Sequence, residues 1–241
     1  MPKIRLATAI AKTLESVGTE VVFGYNGHGN WALLDALVHE TSIDTIAARA
    51  EDHAVHMADC YWRTKRQPPM AVVTTSVGPG STNIVPAIAT AFFESSALLV
   101  LAGGGATQWY DRGGIEEIYR YGPEEWPTIL KPITKRSFSV NRPDTALDML
   151  ARAYKEAISG RPGPVVVQIP FDIQHTMVEV PDKIDLSGWI NIARPGPDPS
   201  AISRAAELIA SAERPLLSVS SGIHNSQAWD ALRELAERFS I

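Results

Sequence analysis

The chain has 241 residues, a formal net charge of −5 at pH 7, 45% hydrophobic residues and 20% charged residues. These proportions are typical of a soluble globular protein, and no long run of like charge predicts binding to nucleic acid or to an anionic membrane. Cys60 is the single cysteine, so a disulfide framework is excluded and a reducing, cytoplasmic compartment is expected. No apolar run reaches the roughly 18 residues of a membrane-spanning helix.

Short apolar strands alternate with amphipathic helices along the first 170 residues. Several strands lack polar alternation, which indicates burial on both faces and therefore a parallel sheet covered by helices. The predicted fold class is α/β with a doubly wound parallel sheet. In chain order, the predicted helices cover residues 6–17, 31–40, 51–62, about 81 onward and 144–158, and the predicted strands cover 20–24, 43–48, 70–75, 97–102, 134–140 and 164–169.

A stretch rich in proline and glycine separates this domain from a shorter second part. We predict a domain over residues 1–181, a linker over 182–199, and the beginning of a second α/β domain over 200–241. The second part contains two predicted helices and one predicted strand, over 216–220. These elements cannot enclose a core of their own, so we expect another chain to complete this domain.

Two segments place polar residues at the same edge of the predicted sheet. Glu51 follows the strand over 43–48, and the loop Ser76–Asn83 follows the next strand. In open α/β sheets, ligands bind at the carboxyl ends of the strands. Without further context, a glutamate at the start of a helix is explained by the macrodipole, which stabilises it by about 0.3–1 kcal/mol.

Four sequence blocks add that context. RAEDHAVHMADCYWR (Arg49–Arg63) and VVTTSVGPGSTN (Val72–Asn83) resemble the pyrimidine-binding domain of thiamine diphosphate enzymes of the acetolactate synthase and pyruvate oxidase family. VVFGYNGHGN (Val21–Asn30) and SGRPGPVVVQIPFDI (Ser159–Ile173) continue the resemblance in the same order. It covers nearly the whole chain, and it implies that residues 200–241 begin the Rossmann-like middle domain of that family.

The resemblance implies a role for each matched residue. Glu51 corresponds to the catalytic glutamate that hydrogen-bonds N1′ of the aminopyrimidine and so promotes removal of the C2 proton from the thiazolium ring. The implied cofactor-binding residues are Tyr25, Asn26, Gly27, Glu51, Ser76, Pro79 and Asn83.

Two residues depart from the family pattern where the substrate is expected. His28 replaces a usually small residue at the reacting end of the cofactor, where a histidine could act as acid or base on the substrate; the alternative is a surface histidine. Glu116 stands where related enzymes carry a pocket glutamine. It lies in an aromatic segment over 107–128 that either contributes to the pocket or packs on itself.

The family binds its cofactor through Mg²⁺ held by a Gly-Asp-Gly motif, which this sequence does not contain. We therefore expect no metal ligands in this chain and a second polypeptide that supplies the Mg²⁺ and diphosphate site. With self-association through the pyrimidine domain, the implied assembly is a heterotetramer or larger. The presence of FAD in the middle domain stays open.

The implied activity is that of a lyase or transferase that cleaves or forms C–C bonds at a 2-oxo acid or dicarbonyl substrate. The alternatives are a catalytically silent or regulatory homologue and a fragment of a single-chain enzyme. A dinucleotide-binding dehydrogenase is disfavoured because the first loop, GYNGHG (Gly24–Gly29), does not match Gly-x-Gly-x-x-Gly. A metal site at His53 and His56 is disfavoured because no third ligand has a defined spacing.

Overall fold

The structure is a computed structural model. In it the chain forms two compact units, Met1–Ile192 and Ala193–Ile241. The predicted boundaries at 181 and 199 stay predictions. Within the described part of the chain, no helix combines the length and apolar composition needed to cross a lipid bilayer. The structure describes residues 3–110, 112, 125–180, 187–190, 192 and 195–241.

Eight strands and twelve α-helices occur in these described ranges. The strands are β1 (Lys3–Arg5), β2 (Val21–Gly24), β3 (Asp44–Ala47), β4 (Val72–Thr75), β5 (Leu98–Gly104), β6 (Arg136–Ser139), β7 (Pro164–Pro170) and β8 (Met177–Glu179). The helices are α1 (Leu6–Ser16), α2 (Trp31–Glu40), α3 (Glu51–Lys65), α4 (Pro79–Thr82), α5 (Val85–Phe93), α6 (Glu125–Leu130), α7 (Ala146–Ile158), α8 (Phe171–Gln174), α9 (Ser187–Ile190), α10 (Pro199–Ser211), α11 (Ser221–Ser226) and α12 (Trp229–Phe239).

Six strands form one parallel sheet in the order β3-β2-β4-β5-β7-β6. The chain runs outward from β2 to β3 and then returns to the other side of β2 to form β4. The loops that follow β2 and β4 therefore diverge from neighbouring strand ends, which is the topological switch point where doubly wound sheets bind ligands. The predicted α/β fold class is confirmed.

Two apolar clusters cover the two faces of the sheet. Val72 and Leu99 belong to the cluster that includes side chains of α1, α2 and α7, whereas Val73 and Val100 face the cluster that includes α3 and α5. Alternate residues of one strand point to opposite faces, so strands covered on both sides need apolar residues at every position. This requirement explains the uninterrupted apolar runs of the sequence.

The structure departs from the predicted elements at several places. The helix predicted from about residue 81 is divided into α4 and α5, and β1 pairs with β8 in a small antiparallel sheet that the sequence pattern did not predict. The predicted strand over 216–220 is wrong. Its residues pair with no strand among those the structure describes, and Leu216 is 92% exposed.

The second unit consists of α10, α11 and α12. Asp198 caps α10 by accepting a hydrogen bond from the Ser200 amide at 2.8 Å, and Trp229 Nε1 donates to His224 Nδ1 at 2.8 Å. Leu208 is 71% exposed, and none of these three helices contains a buried residue. Local capping and helix packing thus hold this unit, rather than a closed core.

Candidate active site

Glu51 is the first residue of α3, directly beyond the carboxyl end of β3. The backbone of Ala50 is extended, so α3 begins sharply and directs its first carboxylate towards the edge of the sheet. Only 8% of Glu51 is exposed. Asn83 Nδ2 donates to Glu51 Oε2 at 3.2 Å and restrains one of the two carboxylate oxygens.

The other carboxylate oxygen faces the glycine loop after β4. A Cβ atom on Gly80 would lie 3.2 Å from Glu51 Oε1 and 3.2 Å from Ser76 Cβ. Gly78 has φ +56°, in the region that favours glycine, which turns the chain from β4 into α4. The Gly80 backbone therefore packs closely against Glu51 and Ser76, and a larger side chain at this position would crowd both.

Ser76 begins this loop and is 9% exposed. Its carbonyl accepts a hydrogen bond from Ser81 Oγ at 2.6 Å, which closes the turn. Its own Oγ accepts from the Gly29 amide at 3.2 Å. Ser76 thus fixes the loop after β4 and also joins it to the loop after β2. Pro79, in the first turn of α4, is exposed beside it.

The loop after β2 is held from within by Asn30, which is 1% exposed. Asn30 Oδ1 accepts from the Gly27 amide at 3.0 Å, while its Nδ2 donates to the Tyr25 carbonyl at 3.1 Å and to Thr74 Oγ1 at 3.2 Å. These bonds leave Tyr25 and Asn26 exposed at the end of the sheet. Asn30 is not among the predicted site residues, although its position as a polar residue just before an apolar helix is a signal in the sequence.

His28 lies in the same loop with its side chain exposed. Its ring packs edge-on near Phe171, with 6.5 Å between the ring centroids, and Phe171 in turn contacts His175 at 4.7 Å. The loops after β2 and β7 therefore meet at His28. Glu116 lies outside the described residues.

Tyr61 belongs to the matched motif around Glu51, but its contacts are with residues outside the candidate site. Its hydroxyl donates to Glu20 Oε2 at 2.6 Å, and Lys65 pairs with the same carboxylate. Partial burial and this hydrogen bond raise the pKa of Tyr61, and the partners Lys65 and Tyr61 lower the pKa of Glu20. Tyr61 therefore ties α3 to the residue preceding β2.

The described part of the chain contains no group of three or more histidine, cysteine, aspartate or glutamate side chains arranged to hold a metal ion. The groups at this edge are a buried carboxylate, an amide that restrains it, and two loops that cross at Ser76 and Gly29. Such an arrangement can accept or donate a proton at a ring nitrogen, provided that the nitrogen reaches the Glu51 carboxylate.

The comparisons with known proteins agree with one another. Residues 4–122 match the family model described as "Thiamine pyrophosphate enzyme, N-terminal TPP binding domain", thiamine pyrophosphate being another name for thiamine diphosphate. The chain belongs to the thiamine diphosphate enzyme family.

Three members of that family show how the similarity extends. The probable acetolactate synthase large subunit of Methanocaldococcus jannaschii is 34% identical over 240 residues, and the match covers 98% of this chain and 39% of that protein. The acetolactate synthase isozyme 3 large subunit of Escherichia coli is 32% identical, with 98% and 40% covered. A crystal structure of benzoylformate decarboxylase from Polynucleobacter necessarius has a TM-score of 0.82 at 25% identity and covers 98% of this chain and 42% of that one. The chain thus spans about two fifths of the length of these thiamine diphosphate enzymes.

Proposed function

We propose that this chain forms the pyrimidine-binding part of an acetolactate synthase-like enzyme that cleaves or forms C–C bonds at a 2-oxo acid or related dicarbonyl substrate. Glu51 is the residue that activates the cofactor. The observation that carries this proposal is the position of Glu51, a carboxylate that is 8% exposed, is held by Asn83 and lies against the glycine loop at the switch-point edge of the sheet. The similarity to acetolactate synthase large subunits supports the choice of reaction.

The residues at the sheet edge suit an aminopyrimidine ring. Glu51 Oε1 lies against the Gly80 backbone, so close that a Cβ atom there would be 3.2 Å away, and in this proposal this oxygen meets the ring nitrogen. Asn83 Nδ2 donates a hydrogen bond to Glu51 Oε2 at 3.2 Å, which keeps Oε1 directed at the ring. Ser76, Pro79 and the exposed residues Tyr25 and Asn26 surround the ring in this proposal.

When bound, thiamine diphosphate supplies the nucleophilic carbon and the electron sink that cleavage next to a carbonyl group needs. Glu51 shares a proton with the pyrimidine N1′, and a positioned acid–base group of this kind contributes about 10²–10⁴ in rate. Its burial keeps water from competing for that proton. His28 acts at the substrate end as an acid or base. Gly27 precedes it in the same loop and contributes backbone atoms to the cofactor site.

The proposal places the diphosphate and Mg²⁺ on protein outside these 241 residues, on a second polypeptide of a heteromeric enzyme. Mg²⁺ needs carboxylate and carbonyl oxygens next to the phosphates. The sequence has no Gly-Asp-Gly motif, and the described residues hold no cluster of three candidate ligands. The absence of that sequence motif supports a binding site that is shared between two parts.

The test is the exchange of the cofactor C2 proton with deuterium in the assembled enzyme. We expect Glu51→Gln to retain cofactor binding and to slow this exchange by about 10²–10⁴. Asp52→Asn is the matched control, because it removes the same charge from the same helix turn and therefore the same macrodipole stabilisation. Exchange at the wild-type rate in Glu51→Gln, or an equal loss in both variants, would refute the assignment.

A further inference from the structure

Gln174 is a buried polar side chain that the proposed chemistry does not use. It is the last residue of α8, just after β7, and only 2% of it is exposed. Its Nε2 donates to two backbone carbonyls, that of Gly29 at 2.7 Å and that of Ile169 at 2.9 Å. Gly29 is 145 residues away along the chain, so this contact joins the loop after β2 to the helix after β7.

The orientation of this amide is determined by its surroundings. Two carbonyl oxygens accept from the Nε2 group, whereas Oε1 is buried and has no hydrogen-bond partner among the described residues. The reversed amide would place its oxygen against two carbonyl oxygens, which is repulsive. Gln174 therefore acts as a double donor, and its contact with Gly29 is directional.

Gly29 is held on its other sides as well. Its amide donates to Ser76 Oγ at 3.2 Å, and a Cβ atom on Gly29 would lie 2.6 Å from Val77 Cγ1. A Cβ atom on Gly103 would lie 2.5 Å from the Gly29 carbonyl oxygen. The Gly29 peptide thus fits between the ends of β4 and β5 without free space, and Gln174 holds its carbonyl from the side of β7.

The same short helix holds a second loop. Asp172 accepts from the Thr107 amide at 3.0 Å and pairs with the Thr107 hydroxyl, which fixes the chain leaving β5. Phe171 contacts the His28 ring. Three residues of α8 therefore contact the loops after β2 and β5, and Gln174 contributes the most buried of these contacts.

We propose that Gln174 is a positioning residue for the substrate end of the site: it fixes the Gly29 carbonyl and thereby the direction of His28. This inference rests on the proposed function, because the role of the loop depends on substrate binding there. It assigns Gln174 no contact with cofactor or substrate. Its loss should alter turnover while the reaction of Glu51 with the cofactor continues.

The experiment compares Gln174→Met with Gln168→Met in the assembled enzyme. Gln168 is a matched control, since it is 1% exposed, lies on β7 and accepts a hydrogen bond from Ser139 Oγ at 3.0 Å. We expect Gln174→Met to increase hydrogen–deuterium exchange of residues 25–30 by about tenfold and to lower kcat by about tenfold or more. Cofactor C2 exchange should stay within about twofold of wild type.

Wild-type loop protection and turnover in Gln174→Met would overturn the inference, as would equal losses in Gln168→Met. If Gln174→Met does not fold, Gln174→Asn keeps the amide but is one methylene too short to reach Gly29, and the same two readouts apply. Absence of C2 exchange in the wild-type enzyme would instead refute the proposed function. Loop exchange is measured independently of activity, so the two failures are distinguishable.

Discussion

Two neighbouring carboxylates, Glu51 and Asp52, begin the same helix and have different environments. Asp52 accepts a hydrogen bond from the adjacent His53 amide at 2.8 Å and remains partly exposed. Glu51 is buried against Asn83 and the glycine loop. The macrodipole stabilises both carboxylates alike, so it cannot explain why one of them is withdrawn from water. The tertiary contacts of Glu51 make the difference.

Tyr154 provides a prediction about stability at the residue scale. Its side chain is fully buried in α7 beside Trp189, with 6.1 Å between ring centroids. Burial raises the pKa of its hydroxyl to about 12, and the Met70 backbone opposes only part of that rise. Above pH 10 the unfolded chain therefore loses this proton before the folded chain does, so stability falls as the pH rises from about 10 to about 12.

We expect this tyrosine to lower the free energy of unfolding by about 2–3 kcal/mol across that interval. Urea denaturation at pH 9.5 and pH 11.5 measures the change. Tyr154→Phe is the control, because phenylalanine keeps the ring and cannot ionise. An identical alkaline decline in both proteins would show that other groups cause it.

At the scale of elements, the glycines that end β5 allow the loop after β2 to approach the sheet. Gly103 faces the Gly29 backbone so closely that a Cβ atom would lie 2.5 Å from its carbonyl oxygen and 2.7 Å from its carbonyl carbon. A backbone neighbour cannot rotate away as a flexible side chain can. The spacing between these two elements therefore depends on the missing side chain at Gly103.

Gly103→Ala should consequently displace the first loop and destabilise the protein by about 1–3 kcal/mol. Gly188→Ala is the matched control, because nothing lies within 4 Å of the added methyl group there. Equilibrium denaturation measures both variants, and amide exchange of residues 25–30 reports the displacement. If Gly103→Ala is as stable as Gly188→Ala and its loop is equally protected, the close approach does not constrain the fold.

At the scale of the whole molecule, the chain contains one unit with a covered sheet and one whose described residues, 195–241, are all at least partly exposed. Met1–Ile192 holds both apolar clusters, whereas the helices of Ala193–Ile241 bury none of their residues. In the proposed enzyme, the first unit binds the pyrimidine and other protein binds the diphosphate. In that proposal, neither of these two proteins by itself contains all of the groups that hold the cofactor.

Purified alone, the 241-residue polypeptide should therefore bind Mg²⁺ and thiamine diphosphate weakly or not at all. Isothermal titration calorimetry with both ligands measures this affinity. Addition of the protein that carries the diphosphate site should restore tight binding, because Mg²⁺ then gains its carboxylate and carbonyl ligands. Tight, stoichiometric binding by the isolated polypeptide would contradict the shared site.

The sequence by itself determined the alternation of helices and strands, the parallel sheet and the family. These features depend on local patterns: uninterrupted apolar runs for doubly covered strands, helical spacing in α1, and the blocks around Glu51 and Ser76. The strand that the same patterns predict over 216–220 is wrong, because an apolar run becomes a strand only where a neighbouring strand supplies hydrogen bonds. Glu116 lies outside the described residues, so its place in the pocket stays a prediction.

Only the tertiary structure decided which distant residues meet. The contact between Gln174 and Gly29 joins residues far apart in the chain, and the pairing of Asn83 with Glu51 depends on how β3, β2 and β4 are ordered in the sheet. No local pattern encodes such distances, since they arise from strand order and from the close packing of loops at the switch point. The sequence indicates the residue types at the site, and the order of the strands determines which of them come into contact.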